Sequence, residues 1–428
     1  MHPTAGRATL RSPAVNEIVD IDALVREAGS QSLAAVAFEV PRVRDEFVLA
    51  TSGLAAVAAG AGFLESCFAP GPAGLFEGLL TGPRLILRLL PGAGLFVTTA
   101  ERAPALTRAL EEAWWERTAR VGSLAAVWEP CLPDDLGEEL CEAATATGES
   151  PEPALAAFTG GGVRSRFQRL AGRLRTRLEA RIAEVCGPAH DRVAGFLMRC
   201  ACCGSAPVEA APAEAEPAYC RGCRNRMGWL RTGLGRQALD AMGAGTNQHD
   251  GAGSVGFLAF VLAGAENEER LATDAASLAA LGRAWRRVPG LVMPEELAAS
   301  GVRLATGPHE TVWVGEAGWC LAWLAQAGPR FFEGEELIST LGSGGTRLGA
   351  GLVLGSGSLA VSQSIGHALA LAASAGRVRP DCRGKTGLEF QRLGDGACLS
   401  ERAGNGRRWA GSSRELVALV RAAGGADA

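Results

Sequence analysis

Apolar and polar positions follow one another along the chain in an order that predicts alternating strands and helices. The run SLAAVAFEV, residues 32–40, predicts a buried strand, and residues 44–67 predict a helix after it. Two apolar runs separated by PGAG within residues 84–100 predict a strand hairpin, since Pro and Gly favour tight turns. Residues 101–120 predict an amphipathic helix, and residues 121–131 a further strand. This order predicts an α+β unit with helices packed on one side of an antiparallel sheet.

The same order of elements recurs in the second half of the chain. GFLAFVLAG, residues 256–264, predicts a strand, and residues 273–285 predict a helix. TVWVGEAGWCLAWL, residues 311–324, predicts a second hairpin with Glu316 at its tip. The remaining predicted elements are a strand at 348–355, a helix at 358–376 and a strand at 385–394. The sequence therefore predicts two units of similar architecture.

One long stretch without formal charge, residues 348–376, has the length of a membrane span. It contains Gln363, His367 and many Ser and Gly, which favour a strand, a turn and a helix in a water-soluble protein over a span. The first twenty residues hold no apolar core of signal-peptide length, so we expect no export and no membrane partner.

Composition limits the kinds of partner that the protein can bind through charge alone. The chain has 428 residues, of which 47% are hydrophobic, enough for two or three domains that each bury a core. Its net charge is −4 and its calculated pI is 5.9, so there is no overall basic field for nonspecific nucleic-acid binding. Any contact with nucleic acid is therefore expected to be local.

Four of the twelve cysteines form two CxxC pairs, Cys200 with Cys203 and Cys220 with Cys223. Two such turns supply the four sulfurs of a tetrahedral structural zinc site, which leaves no open position for catalysis. Loose thiols or a redox pair are the alternatives. Cys202 lies between two ligands and is a spare thiol that could replace one of them. Paired thiolates favour a reducing, cytoplasmic location over a disulfide framework.

Arginines cluster in the stretch that precedes and includes the cysteines, residues 163–226. Residues 163–185 predict an Arg-rich helix, which could contact RNA or another subunit or could present a solvated face. The arginines near the cysteines could hold phosphates or form a solvated rim around the thiolates. The candidate RNA or subunit contacts are Arg164, Arg166, Arg173, Arg221 and Arg224.

The paired units and the cysteine module resemble the large polymerase/cyclase-like subunit of type III CRISPR-Cas effector complexes, which has paired palm domains. Residues 37–64, AFEVPRVRDEFV followed by GLAAVAAGAGFL, are similar to the first-palm strand and its helix. Residues 91–114 are similar to the glycine hairpin and the helix after it, and residues 348–376 to the strand and helix that close the second palm. The resemblance extends over residues 32–393.

This resemblance implies two ferredoxin-like, nucleotidyl cyclase-like palm domains flanking a four-cysteine zinc module. The implied segments are a leader at 1–30, a first palm at 31–150, the Arg-rich helix and zinc module at 151–242, a second palm at 251–410 and a tail at 411–428. The family's nuclease domain has paired His-Asp signatures, whereas His-Asp occurs here once, at His249 and Asp250. The resemblance thus implies a reduced member without that domain.

In the family, a GGDD hairpin in the second palm, with a strand acid, resembles the two-metal site of polymerases and cyclases. Here VGEAG leaves Glu316 as the hairpin acid, and FVLAGAENEE places Glu266 near the partner position. Glu39 stands where the first palm often has Asp. Two Mg²⁺ ions need several carboxylates, so we expect a degenerate site.

The expected function is a non-catalytic scaffold that contacts guide and target RNA and other effector subunits. An active palm cyclase or cyclic oligoadenylate synthetase, using Glu316 and Glu266 with ATP and Mg²⁺ or Mn²⁺, is the first alternative. A stand-alone zinc scaffold is the second.

Overall fold

The computed structural model describes most of the chain in segments. The described residues are 31–49, 54–68, 84–118, 122–137, 165–186, 199–203, 218–230, 254–298, 300–327, 335–341, 346–356, 361–377, 386–392 and 407–409, with 25, 26, 28, 29, 74, 79, 208 and 331. The predicted tail at 411–428 and all but four residues of the predicted leader lie outside the described residues.

The first half forms the predicted order of strand, helix, hairpin, helix and strand, here called the first unit (residues 33–131). Its elements are β1 (Leu33–Glu39), α1 (Leu54–Phe68), β2 (Leu85–Leu90), β3 (Ala93–Thr99), α2 (Ala103–Arg117) and β4 (Ala125–Cys131). The predicted helix at 44–67 is in part wrong, because Val43–Val48 forms a separate π-helical turn ahead of α1. After β4 come α3 (Arg166–Val185) and α4 (Arg221–Leu230).

The second half repeats the order strand, helix, hairpin, helix and strand, here called the second unit (residues 254–356). Its elements are β5 (Ser254–Ala263), α5 (Ala265–Leu271), α6 (Ala275–Val292), α7 (Glu295–Ala298), β6 (Val302–Gly307), β7 (Glu310–Glu316), α8 (Ala317–Gln326), α9 (Glu335–Thr340) and β8 (Arg347–Ser356). It is followed by α10 (Val361–Arg377), β9 (Thr386–Arg392) and β10 (Arg407–Trp409).

The predicted hairpin at 311–324 is wrong, since β7 ends at Glu316 and α8 begins at Ala317. The second apolar run is a helix because Trp319 and Trp323, four residues apart, lie on one helical face. Their indole N–H groups donate to the carbonyl oxygens of Leu297 at 2.8 Å and Val292 at 2.7 Å. The true hairpin pairs β7 with β6, a strand that the sequence analysis missed.

Both units have the same order of strands in their sheets. The first sheet runs β2-β3-β1-β4, and the second runs β10-β9-β8-β5-β7-β6, so that its β6-β7-β5-β8 part matches the first sheet strand for strand. The four matching strands are antiparallel in each unit, and β9 adds parallel to β8. The α+β class is therefore confirmed, with two related sheets.

Within each unit the long helices between the strands pack on one face of the sheet, as predicted, and a helix that follows the unit covers the other face. In the first unit, α1 and α2 cover one face, and α3, which follows the unit, covers the other through Phe167, Leu170, Leu174 and Leu178. In the second unit, α6 and α8 cover one face and α10 the other. In each unit the second face is thus covered by the helix that follows the fourth strand.

The two units pack on each other in a reciprocal way. The first helix of the first unit, α1, contacts β6 of the second unit, and the first long helix of the second unit, α6, contacts β2 of the first. Buried side chains of both units, such as Phe38 and Val57 with Phe257 and Val312, belong to one hydrophobic cluster. The interface is therefore a continuous core arranged with an approximate two-fold relation.

The uncharged stretch at 348–376 forms β8 and α10, as predicted. Gly349 and Gly351 of β8 allow α10 to lie directly on the strand, because a Cβ at either position would come within 2.0 Å of an α10 carbonyl oxygen. Among the described helices, none combines the length and the apolar character that crossing a membrane requires.

Candidate functional site

The second unit brings the end of its first strand against its hairpin turn. The backbone N–H of Leu262 donates to the carbonyl oxygen of His309 at 3.0 Å, and Val261 pairs with Glu310 across β5 and β7. Glu310 is therefore the acid beside the hairpin turn. Glu316 pairs with Val255 at the other end of β7, roughly 20 Å away along a strand that rises about 3.3 Å per residue.

The two sequence candidates for a metal turn consequently do not come together. Glu266 lies in α5, just after the end of β5 that faces the hairpin turn, whereas Glu316 lies at the opposite end of the sheet. Both side chains are exposed. The structure thus separates Glu266 from Glu316, and sequence reasoning missed Glu310 because the preceding strand, β6, had not been predicted.

Glu310 forms an ion pair with an arginine of the first unit. Arg44, in the π-helical turn Val43–Val48, places its Nη1 atom 2.9 Å from Glu310 Oε1 and its Nε atom 3.0 Å from Asp45 Oδ1. Burial raises the pKa of Glu310, and the charge of Arg44 acts in the opposite direction. Beside this pair an open cleft of about 750 Å³ runs between Arg44 and α10, where Arg377 lies.

The first unit forms the same backbone contact between its first strand and its hairpin turn, but its acid lies on the strand. The Val40 N–H donates to the Gly92 carbonyl oxygen at 2.7 Å, and Glu39 pairs with Ala93. The first unit therefore has its acid on the strand and a small residue on the hairpin, whereas the second has Val261 on the strand and its acid on the hairpin. Burial raises the pKa of Glu39, opposed mainly by the nearby charge of Arg88.

A second ion pair joins the units on the side of Glu39. Arg88 of β2 contacts Glu269 of α5 through its Nη1 atom, and both side chains are largely buried, at 16% and 14% exposure. His309 Nε2 lies 3.5 Å from Glu269 Oε1, and its ring stacks edge-on against Trp285 with centroids 5.0 Å apart. Burial, with the charge of Arg88 as a further cause, lowers the pKa of His309, which is neutral at pH 7.

The predicted zinc ligands are the best formed cluster in the described part of the chain. The sulfur atoms of Cys200, Cys203, Cys220 and Cys223 all lie within 4.8 Å of one another. The backbone N–H groups of Cys202 and Cys223 each face a ligand sulfur at 3.4 Å, from Cys200 and Cys220 respectively. Such N–H groups stabilise thiolates. Four close sulfurs with amide donors fit a tetrahedral zinc site.

The protonation of these thiols shows how crowded the cluster is. Contact with the thiols of Cys202, Cys203 and Cys220 raises the pKa of Cys223, and contact with Cys203 raises that of Cys220 to about 11. Cys202 lies against Cys223, which lowers the pKa of Cys202. Sulfurs this close cannot all ionise without a cation among them, which a bound divalent metal would supply.

Two of the five candidate RNA-contacting arginines form ion pairs with acids of this chain. Arg173 Nε lies 2.9 Å from Glu129 Oε1, and Arg166 Nη1 lies 3.5 Å from Asp134 Oδ2. Arg221 and Arg224 are exposed on α4. Arg164 lies outside the described residues. The Arg-rich helix is therefore joined to β4 through Arg173 and Glu129.

Comparison with known proteins finds relatives by structure only. No family model matches the chain, and no curated protein matches it. The solved structures it is similar to include an apo Csm1-Csm4 cassette, with 12% identity, a TM-score of 0.49, and coverage of 92% of this chain and 58% of that one. Csm1 in T. onnurineus has 12% identity and a TM-score of 0.47, with 81% and 52% covered. The Csm1-Csm4 cassette in complex with cA3 has 11% identity and a TM-score of 0.48, with 92% and 58% covered.

Each of these solved structures includes Csm1. The chain spans between half and three fifths of the length of these structures. At 11–12% identity the likeness concerns the fold alone, so the function has to be inferred from the residues of this chain.

Proposed function

We propose that the protein is a non-catalytic large subunit of an RNA-guided effector complex of the type III CRISPR kind. The non-catalytic part of the proposal is supported by the positions of two acids, which lie in different units. Each hairpin junction has one carboxylate of a possible pair, Glu39 in the first unit and Glu310 in the second. The partner positions, Ala93 and Val261, have no side-chain oxygen to offer a metal ion.

Phosphoryl transfer by a palm site depends on two divalent cations about 3.5–4 Å apart, each surrounded by oxygen ligands. In this chain an arginine stands beside each remaining acid, with Arg44 on Glu310 and Arg88 near Glu39. Within the described residues, the cysteine cluster is the one group of three or more side chains arranged to hold a metal ion. A guanidinium at each acid supplies the positive charge that a metal ion would otherwise bring.

The effector assignment is supported by the sequence resemblance together with two matching sheets on either side of a four-sulfur module. The proposed palm assignment of the two units follows from the same resemblance. Under this proposal the module holds a structural zinc ion, and the chain contacts guide RNA, target RNA and other effector subunits in the cytoplasm. The similar structures include Csm1-Csm4 cassettes. A Csm4-like neighbour is therefore the first partner that we propose for this chain.

The deciding experiment uses tagged protein purified from its native host with its bound subunits and RNA. Labelled ATP is added with Mg²⁺ or Mn²⁺ to the wild type, Glu310→Ala and the control Glu316→Ala. We expect no product from any of them, and short guide RNA in every eluate. Product that disappears in Glu310→Ala alone would show a working site. An eluate without RNA and without further subunits would refute the effector assignment.

A further inference from the structure

The cysteine module is fastened to the first unit by one buried arginine. Helix α4, which begins beside Cys220, packs against α1. Arg226 of α4 is 2% exposed, and its Nη1 atom donates to the Phe47 carbonyl oxygen at 2.8 Å. The guanidinium carbon lies 4.6 Å from the centre of the Phe47 ring. This arginine therefore reaches from the cysteine module into the core of the first unit.

The charge of Arg226 is not balanced by any carboxylate among the described residues, where no ion pair includes it. Its Nε and Nη2 atoms are buried without a hydrogen-bond partner in that part of the structure. Burying a guanidinium without a counter-charge is strongly unfavourable, and one carbonyl and one ring face compensate only part of the cost. A neighbouring anion would therefore stabilise Arg226 strongly.

Arg226 follows the ligand Cys223 by three residues in α4, so its side chain and the Cys223 sulfur lie on one face of the helix. When a divalent cation deprotonates four thiols, the cluster has a formal charge of about −2, whereas a metal-free, protonated cluster has none. The counter-charge beside Arg226 therefore depends on the metal.

We propose that the metal-thiolate cluster is the counter-anion of Arg226, so that metal binding at the four cysteines fastens the module to the first unit. The proposal rests on the structural-zinc part of the proposed function. Arg226 is a positioning residue in this arrangement, since it holds Phe47 and with it the turn Val43–Val48. Arg44 of the same turn pairs with Glu310, so the metal state is linked to the junction between the two units.

The test compares full-length wild type, Arg226→Met and the matched control Arg221→Met, which removes an exposed arginine from the same helix. Zinc affinity is measured by competition with a chelator. Arg226→Met should bind zinc about 10–100-fold more weakly than wild type, the usual loss when a residue supporting the ligands is removed. Arg221→Met should bind zinc as wild type does.

A second readout has a sign that a purely structural role would not produce. Without metal, Arg226→Met should melt at a higher temperature than wild type, because it removes a buried unbalanced charge. With zinc it should melt at a lower one. Amide hydrogen exchange of residues 43–48 and 54–68 should rise on chelation in the wild type, and exchange of β6 and β7 much less.

The outcomes separate this inference from the zinc assignment. Wild type that binds no metal, with Cys203→Ser and Cys220→Ser unchanged from it, would refute both. One zinc per chain, with Arg226→Met and Arg221→Met equal in affinity and no metal-dependent exchange at 43–68, would refute the role of Arg226 alone. If Arg226→Met does not fold, Arg226→Lys and the exchange of chelated wild type decide the question.

Discussion

The two hairpin junctions share a backbone and differ in chemistry. In each unit an N–H at the end of the first strand donates to a carbonyl of the hairpin turn, at 2.7 Å from Val40 and 3.0 Å from Leu262. The acid stands on the strand in one unit and on the hairpin in the other, as Glu39 and Glu310. The same backbone junction therefore has its acid at a different position in each unit.

The two ion pairs between the units differ in their exposure to water. Arg88 and Glu269 are 16% and 14% exposed, whereas Arg44 and Glu310 are 40% and 22% exposed beside the open cleft. Both pairs take the arginine from the first unit and the glutamate from the second. Burial decides their energetic weight, because water screens the outer pair and leaves the inner one dependent on its partner.

Replacement of Arg88 by Met should have the largest effect. It leaves Glu269 buried beside neutral His309, and we expect a loss of about 3 kcal/mol in the free energy of unfolding. The matched change in the more exposed pair, Arg44→Met, should cost less than about 1 kcal/mol. Denaturant unfolding of both variants measures the difference. Equal losses would mean that the two ion pairs contribute equally to stability. Adding Glu269→Gln to Arg88→Met should recover stability, because it removes the unpaired buried charge.

The next effect compares one buried indole from each unit. Trp323 donates to the Val292 carbonyl oxygen at 2.7 Å, whereas the Trp114 indole nitrogen has no hydrogen-bond partner among the described residues. Both side chains are 0% exposed. Replacement by Phe removes similar volume at each site, so Trp323→Phe should cost about 1–2 kcal/mol more than Trp114→Phe. Thermal unfolding tests this order, and a larger loss for Trp114→Phe would contradict it.

The smallest expected effect is a pH dependence of the free energy of unfolding that arises from His309. The pKa of His309 is lowered from its ordinary value of 6.5, so the unfolded chain binds this proton more readily. The stabilisation it contributes is complete above pH 6.5 and is lost as the pH falls through the lowered value. Glu39 and Glu310, whose pKa values are raised, oppose this trend at more acidic pH.

Unfolding free energies of wild type and His309→Asn at pH 7.5 and 5.5 isolate the histidine. The wild type should lose more stability between these two values than the variant does, since the carboxyl groups are common to both. An identical loss in the two proteins would show that His309 does not titrate in this range.

Much of the fold could be predicted from the sequence because its signals are local. Strand β1 and the hairpin of β2 and β3 follow from apolar runs with a Pro-Gly turn, and the four cysteines follow from their spacing. Helix α8 was mistaken for a strand because a short apolar run has no clear period. Because of this error β6 was not predicted, and Glu310 was not placed beside the hairpin turn.

The ion pairs could not be predicted because they depend on packing between distant segments. Arg88 and Glu269 are 181 residues apart, and Arg44 and Glu310 are 266 apart. Their meeting requires the reciprocal contact of α1 with β6 and of α6 with β2, which no local pattern encodes. His309 likewise meets Glu269 only through the fold.

The shared core described above also bears on how the chain folds. Since one large hydrophobic cluster takes side chains from both units, neither unit can bury all of its apolar surface without the other. The two units should then gain and lose their structure in a single cooperative step. A chain cut between them would behave as two interdependent fragments that recover their structure only by complementation.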